Sequence, residues 1–393
     1  MKEPMTAEQI ARYVVAEAVW APSVHNTQPW RFVADGQQLS VYADADRGLP
    51  VADPVGREMM ISCGAALFSA RLALRSLGYV PQTRVLPDPG QPLLVAQVTW
   101  RQRAAVSEFE RRLASQVHRR RTHRGAFDAE PVPYSTLTAL QESAARDGAA
   151  LRIVPDGGRR AVLAAVVQTA EHTLRLDSAR ARELARWAPA PGSARSDGVP
   201  ATAYPARAEQ TDPYFPGRDF AHGHGWGVPP LSSARFPRVA GVVGLLTTAA
   251  DRRADWVNAG QALQRILLTA SACGAAVALY SQPAELPWLR EFIRTQLSDG
   301  AYPHLVLRIG TVVQAAASVR RDPDDVLFLS VADAVSRGPT LGPHGPRRQG
   351  RLVGWPGTLV LFSSERTGDL RQVRLGRVPA ESPRATAAVR RPG

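Results

Sequence analysis

Two short segments carry most of the chemistry that this chain can do. The first is the basic run Arg119-Arg120-Arg121-Thr122-His123-Arg124-Gly125-Ala126-Phe127. Guanidinium forks and a hydroxyl spaced this closely can hold a phosphate through paired, charge-assisted hydrogen bonds. A solvated basic helix end is the commoner meaning of such a run. Arg320-Arg321 is a second, smaller basic point with the same two readings. The other segment is Ala21-Pro22-Ser23-Val24-His25-Asn26-Thr27-Gln28-Pro29-Trp30. Pro22 and Pro29 stiffen it, and the polar residues between them present donors and acceptors. A rigid loop of this kind can read the polar edge of a planar heterocycle, or it can be a capped turn before a strand. The residue types alone leave both open.

Other constellations are weaker. His222-Gly223-His224 offers two imidazoles but no third ligand at useful spacing. Cys63 and Cys273 each fall within an apolar helical stretch and read as inert core thiols. Asp251 and Asp255 read as a charged helix start rather than a catalytic pair. The dinucleotide loop G-x-G-x-x-G, the phosphate loop G-x-x-x-x-G-K-[ST] and the G-x-S-x-G nucleophile elbow are all missing from the sequence.

The elements that must position these groups follow from periodicity. Thr6-Ala7-Glu8-Gln9 is a capping-box pattern that opens a helix to about residue 20. Runs at 30–34 and 39–43 read as a hairpin. Residues 54–77 are helical in period and apolar all round, which predicts a buried helix. Gly64, Ala65 and Ala66 would let another helix approach closely. Strands are expected at 83–86 and 93–99, a charged helix at 104–118 leading into the basic run, a helix at 133–147 and a strand at 150–154. A long helix at 158–187 comes next. Residues 188–236 are rich in Pro, Gly and His with little periodicity, and a loop of that length inside a domain is functional, as in a lid, or disordered. Expected beyond it are a strand (239–247), a helix (251–274), a strand (277–281), a helix (284–297) and a strand (304–309).

Two of these helices look alike. At a constant offset of 196 residues, Gly64, Ala66, Leu67, Leu72 and Gly78 meet Gly260, Ala262, Leu263, Leu268 and Gly274. Each helix ends at a glycine and leads to a strand. The pattern suggests two similar halves about a pseudo-twofold axis; two unrelated buried helices of similar composition is the other reading.

Composition bounds the function. The chain has 393 residues, 45% of them hydrophobic, enough for about two domains. Its net charge is +13, but residues 334–393 hold 11 Arg against three acidic residues. The body is therefore only mildly basic and shows no basic stripe with interleaved aromatics, so a nucleic-acid partner is not expected there. The tail, with 16 Gly or Pro in those positions, has a disordered composition and could act at most as a nonspecific polyanion arm. No apolar run of spanning length and no signal-peptide pattern is seen, so the expectation is a cytoplasmic protein without membrane contact.

Taken together, APSVHNTQPWRF (21–32), VADPVGREMMISCGAALFSARLALRSLGY (51–79), RRTHRGAF (120–127), DWVNAGQALQRILLTASACG (255–274), SQPAE (281–285), LVLRIG (305–310) and RRDPDDVL (320–327) resemble the nitroreductase-like flavoproteins, in particular the actinobacterial Acg-type subgroup. The resemblance covers about 20–330. It implies an α+β nitroreductase-like fold of two fused half-copies, sheets covered by helices, in which one chain mimics a homodimer as a monomer. The halves would be 1–118 and 119–330, with 188–236 as a lid and 331–393 as a tail outside the fold. It implies an FMN-dependent oxidoreductase that takes hydride from NAD(P)H and passes it through flavin N5 to a small planar electron acceptor. A noncatalytic flavin-binding or sequestering protein on the same scaffold is the alternative.

The resemblance also assigns roles. Arg120, Thr122 and Arg124, completed by Arg320 and Arg321, would hold the FMN phosphate. Pro22, Ser23, Asn26 and Gln28 would lie against the ring and ribityl chain. Ser281, Gln282 and Pro283 would bring backbone close to N5. His123 stands where the subgroup often has Asn. Only one loop of the APS…QPW type and one RRTHR run are present, so one complete flavin site is expected rather than two.

Overall fold

The computed structural model describes residues 5–155, 157–204, 211–218, 238–312 and 318–330. His222-Gly223-His224, the tail 331–393 and much of 188–236 lie outside these residues.

The chain opens as its capping box predicts. Thr6 accepts from the Gln9 amide, and the Gln9 side chain accepts from the Thr6 amide, starting helix α1 (Ala7–Ala18). Strands β1 (Trp30–Asp35) and β2 (Gln38–Ala43) pair antiparallel from Trp30↔Ala43 to Asp35↔Gln38, with Gly36 at φ +53° making the turn. The apolar helix α2 (Arg57–Ser76) is buried along almost its whole length. It ends at Leu77-Gly78 and leads into β3 (Tyr79–Val85) and β4 (Leu94–Arg103). Helix α3 (Glu108–Ala114) is shorter than the charge pattern suggested.

The chain then crosses to a second layer. Strand β5 (Thr122–His123), helix α4 (Tyr134–Ala145) and strand β6 (Ala150–Ile153) come first. The helical stretch at 158–187 is two helices, α5 (Gly158–Leu176) and α6 (Ser178–Ala185). The break is at Asp177, whose carboxylate accepts from the amides of Ala179 and Arg180 and so caps a new helix. A short parallel pair, β7 (Thr211–Asp212) and β8 (Arg238–Val239), precedes β9 (Val242–Thr248), helix α7 (Arg253–Ala272) and strand β10 (Ala276–Tyr280). The stretch at 284–297 is also divided, into α8 (Gln282–Glu285) and α9 (Pro287–Gln296), because the residue before Pro287 is held extended. Strands β11 (Tyr302–Gly310) and β12 (Leu327–Phe328) complete the described chain.

Among the described residues the strands form two five-stranded sheets, ordered β12-β1-β2-β4-β3 and β5-β10-β11-β9-β6. Read from β6, the second repeats the first: β6-β9-β11-β10 corresponds to β1-β2-β4-β3. In each half the long helix, α2 or α7, connects the second of these strands to the one that closes the row. The chain is thus α+β, built of two half-copies, and α2 packs against α7 between them. Strand β12 returns from the far end of the described chain to pair parallel with β1, which ties the second half to the first.

One expectation fails. Cys63 is a core thiol, pushed up by burial, but Cys273 is exposed at the C-terminal cap of α7. The apolar period ends a residue before it. Among the described residues no helix is long and apolar enough to cross a membrane, and no group of three or more His, Cys, Asp or Glu could hold a metal ion.

Candidate functional site

The basic run reaches its site through one strand pairing. β5 lies parallel beside β10, with Thr122 opposite Val277 and His123 opposite Ala278. The segments flanking both strands therefore meet at one end of the second sheet. Arg308, fully buried in β11, holds that end together: Nη2 donates to the Gly125 carbonyl, Nη1 to Ala240 and Nε to the Tyr280 hydroxyl, each at 2.9 Å. A cavity opens there. Its walls include Pro22, Ser23 and Asn26, the run Arg120–Arg124, Ser281 and Gln282, and Arg320. Nine of the twelve candidate site residues thus line one space. Gln28, Pro283 and Arg321 do not.

The loop 22–28 is held in an unusual backbone. His25, Asn26 and Gln28 have φ of 49°, 54° and 51°, the left-handed region that non-glycine residues rarely occupy. Side-chain bonds hold it there. Asn26 Nδ2 donates to the carbonyls of Gly198 and Val319, and its Oδ1 accepts from Arg320 Nη1 at 3.1 Å. Gln28 is fully buried; its Nε2 donates to the Ser196 carbonyl and its Oε1 accepts from the Arg321 amide, both at 2.8 Å. The Ser62 hydroxyl on α2 accepts from the Val24 amide. Gln28 and Arg321 thus position the loop from behind, while Ser23 and Asn26 reach the cavity.

Four arginines gather at one wall. Arg120 is 3% exposed; its Nη2 donates to the Trp20 carbonyl, and its Nε and Nη1 have no partner among the described residues. Arg320 donates to the same carbonyl, and its Nε is likewise unpartnered. Arg121 and Arg320 both lie over the Trp20 ring, and Arg124 lies over Tyr204. No carboxylate pairs with any of the four among the described residues. Burial lowers Arg120 to about 9, with Arg121 and Arg124 adding repulsion. Arg320 is held well below its ordinary value by burial and by Arg120, Arg121 and Arg124. Buried guanidinium groups that repel one another and keep unpaired donors are what a bound polyanion would relieve. A phosphate fits this wall, and Ile61, Leu263 and Leu305 on the same cavity offer apolar surface to a ring.

A second wall is charged differently. Arg218 donates to both oxygens of Glu285, and Ser281 Oγ donates to Oε1 of the same carboxylate. His25 is kept neutral, lowered to about 3 by burial and then by Arg218. Glu58, in the first turn of α2, also lines the cavity. The sequence reading named Ser281 but missed Arg218, Glu285 and Glu58. Arg218 sits in an aperiodic stretch with no local signal, and Glu58 was absorbed into a helix read only for its apolar period. Arg308 did carry a signal, a lone charge inside an apolar strand.

Comparison with known proteins gives concordant likenesses. The nitroreductase family profile matches residues 117–310. A Mycobacterium tuberculosis protein named, provisionally, as an NAD(P)H nitroreductase is 34% identical over 355 residues, covering 90% of this chain and 93% of its own. The Acg protein of Mycobacterium tuberculosis, with the same provisional name, is 29% identical over 342 residues, covering 85% of this chain and 99% of its own. Among solved structures, the FMN-dependent nitroreductase NfnB of Mycobacterium smegmatis in complex with NADPH aligns over 56% of this chain and 99% of its own, at 18% identity and a TM-score of 0.35.

Proposed function

The chain belongs to the nitroreductase family, and on that premise we propose that it binds FMN in the described cavity and uses it to carry electrons from NAD(P)H to a small planar acceptor. The observation that carries the reading is the wall of four arginines without a carboxylate partner among the described residues, two of them with unpartnered buried nitrogens there. Arg120, Arg124 and Arg320, with the Thr122 hydroxyl, would hold the phosphate. The loop 22–26 and the Ser281-Gln282 segment would meet the edge of the ring, with Ile61 and Leu263 against its apolar surface. When bound, the flavin supplies the redox chemistry, accepting a hydride and passing it on. The protein orients it and excludes water. Residues 198–200, 203, 204, 217 and 218 stand on the cavity, which supports the described parts of the expected lid, 188–204 and 211–218, as a cover over the site.

One site per chain is expected. The offset of 196 places Arg253 opposite Arg57 but Ala254 opposite Glu58, and the second half has no counterpart of the 21–28 loop. The second half would then take the place of a second subunit, and the chain would be a monomer in the cytoplasm.

The test is a fluorescence titration with FMN followed by anaerobic addition of NADH or NADPH. One flavin per chain that bleaches with either nucleotide supports the enzyme. Flavin that binds and stays oxidised supports the alternative, a flavin-sequestering protein. No binding removes both.

A further inference from the structure

Glu58 has a place in this cavity that the fold does not require. Its side chain is 5% exposed and lies on the wall beside Ile61 and Ser62. Oε1 accepts from Arg57 Nη2 at 3.1 Å, while Oε2 has no hydrogen-bond partner among the described residues. The corresponding position in α7 is Ala254, so neither the helix start nor the helix crossing needs a carboxyl there. Buried carboxyl oxygens are normally bonded, and one left open against a cavity is set to bond what enters it.

From this geometry we infer that Glu58 is the acid of the site, giving a proton from its carboxyl to the electron acceptor. The inference rests on the flavoenzyme reading above. It also narrows the acceptor to molecules whose reduction ends with a new O–H bond, such as a quinone, a carbonyl or a nitro or nitroso oxygen. The balance is simple. Such an acceptor takes two electrons and one hydrogen as hydride, delivered ultimately from NAD(P)H. The O–H bond of Glu58 breaks, its proton forms the O–H of the product, and the carboxylate left behind takes a proton from water once the product leaves.

The surroundings hold Glu58 in the form this requires. Glu285 on α8 faces it as a carboxylate, kept ionised by Arg218 and Ser281, and Asp53 adds a further acidic neighbour. Arg57 and Arg218 pull the other way. Arg57 is shared, since it also donates to the carbonyls of His304 and Ala284, and Arg218 is engaged by Glu285. The nearby imidazoles of His25 and His304 are held neutral, and neither is among the groups that lower Glu58. Burial and Glu285 dominate, and the Glu58 carboxyl is raised well above its ordinary range.

The experiment uses the purified full chain and Glu58→Gln, which keeps shape but has no proton to give. Infrared spectroscopy at neutral pH, before any flavin is added, should show a protonated carboxylic C=O band that Glu58→Gln removes. With FMN bound and reduced by NADPH, stopped-flow reoxidation by a quinone should slow by about 100-fold in Glu58→Gln, the scale of general-acid catalysis. Reoxidation by ferricyanide, which takes electrons without protons, should slow by less than threefold. In the unsubstituted protein the quinone rate should fall as pH rises, whereas the ferricyanide rate should not. Equal loss with both oxidants, or an infrared band that survives the substitution, overturns the inference. Failure of the flavin to bind or to bleach would instead strike the flavoenzyme reading, and the infrared result stands apart from it.

Discussion

Gly64 and Gly260 face each other at the crossing of α2 and α7, and each makes the same contact on the other's helix. A Cβ on Gly64 would lie 2.1 Å from the Val257 carbonyl oxygen, and a Cβ on Gly260 would lie 2.0 Å from that of Ile61. Gly64 to Gly260 and Ile61 to Val257 are both the offset of 196 found in the sequence. The reciprocity is that of an isologous dimer interface, here within one chain. The likeness of the two helices is therefore a real internal repeat, and the crossing is where the halves are joined.

Gly64→Ala should destabilise the protein by about 2–3 kcal/mol even though alanine is the better helix former by about 1 kcal/mol. The obstacle is backbone, so no side chain can rotate away and the helices must part. Gly260→Ala should cost about the same. The double variant should lose less than the sum, because one separation of the helices relieves both clashes. Urea denaturation midpoints decide it; a neutral or stabilised Gly64→Ala protein would mean that the crossing is looser than described.

Arg120→Met and Arg320→Met should trade function for stability. Each removes a buried cation that repels its neighbours; Arg120 has two nitrogens without a partner among the described residues and Arg320 has one. The flavin-free Arg120→Met protein should gain about 1 kcal/mol of stability, since apolar replacement of poorly compensated buried charge is often neutral to favourable, whereas Arg320→Met also loses the bond to Asn26 and should gain less. FMN should bind about 10- to 100-fold more weakly, matching the loss of one charge-assisted contact of about 1.5–3 kcal/mol. Thermal melts without flavin and titrations with it measure the two effects separately. Unchanged FMN affinity would dismiss the phosphate assignment.

How legible this was in the sequence depends on the range of the interaction. The cap at Thr6–Gln9, the hairpin and the long buried helices follow from local patterns and are where the periodicity put them. The breaks at Asp177 and Pro287 carried their own signals, a capping residue and a proline, inside runs read only for apolar period. The candidate site was legible where several of the residues that line its cavity sit together in one segment, as at Arg120–Arg124. It was not legible where a lone residue is brought in by the fold. Arg218 meets Glu285, 67 positions later, and Gln28 bonds Ser196 and Arg321 through sequence separations of 168 and 293. No spacing rule reaches that far.

Gln28→Ala should act on stability before it acts on ligand binding. Its amide satisfies the Ser196 carbonyl and the Arg321 amide and holds three left-handed residues in place. Leaving the two partners unsatisfied in a buried setting should cost about 2–3 kcal/mol. Gln28→Glu keeps the acceptor for the Arg321 amide but loses the donor to Ser196, so it should lie between the two. A denaturation series that ranks the variants otherwise would show that the loop does not depend on this bridge.

Acid should destabilise the protein in a window set by His25 and His304. Both are buried and held neutral, lowered to about 3, and Thr248 Oγ1 contacts His304 Nε2 at 2.6 Å. In the unfolded chain each titrates near 6.5. Between those values the unfolded state binds protons that the folded state refuses. Their contribution to stability is therefore complete above about pH 6.5 and falls as pH drops toward 3, at about 1.4 kcal/mol per unit for each histidine. Glu58 runs the opposite way. Its raised carboxyl keeps a proton in the folded state that the unfolded chain has released above about 4.5, so it costs stability as pH rises from there. Removing it should leave the histidines less opposed. Glu58→Gln should steepen the rise of stability with pH above about 4.5, and replacing either histidine by asparagine should flatten the rise between pH 5 and 6 by about one proton. Denaturation midpoints across pH 4–8 give each slope, and equal slopes in all three variants and the parent would show that other groups govern the acid transition.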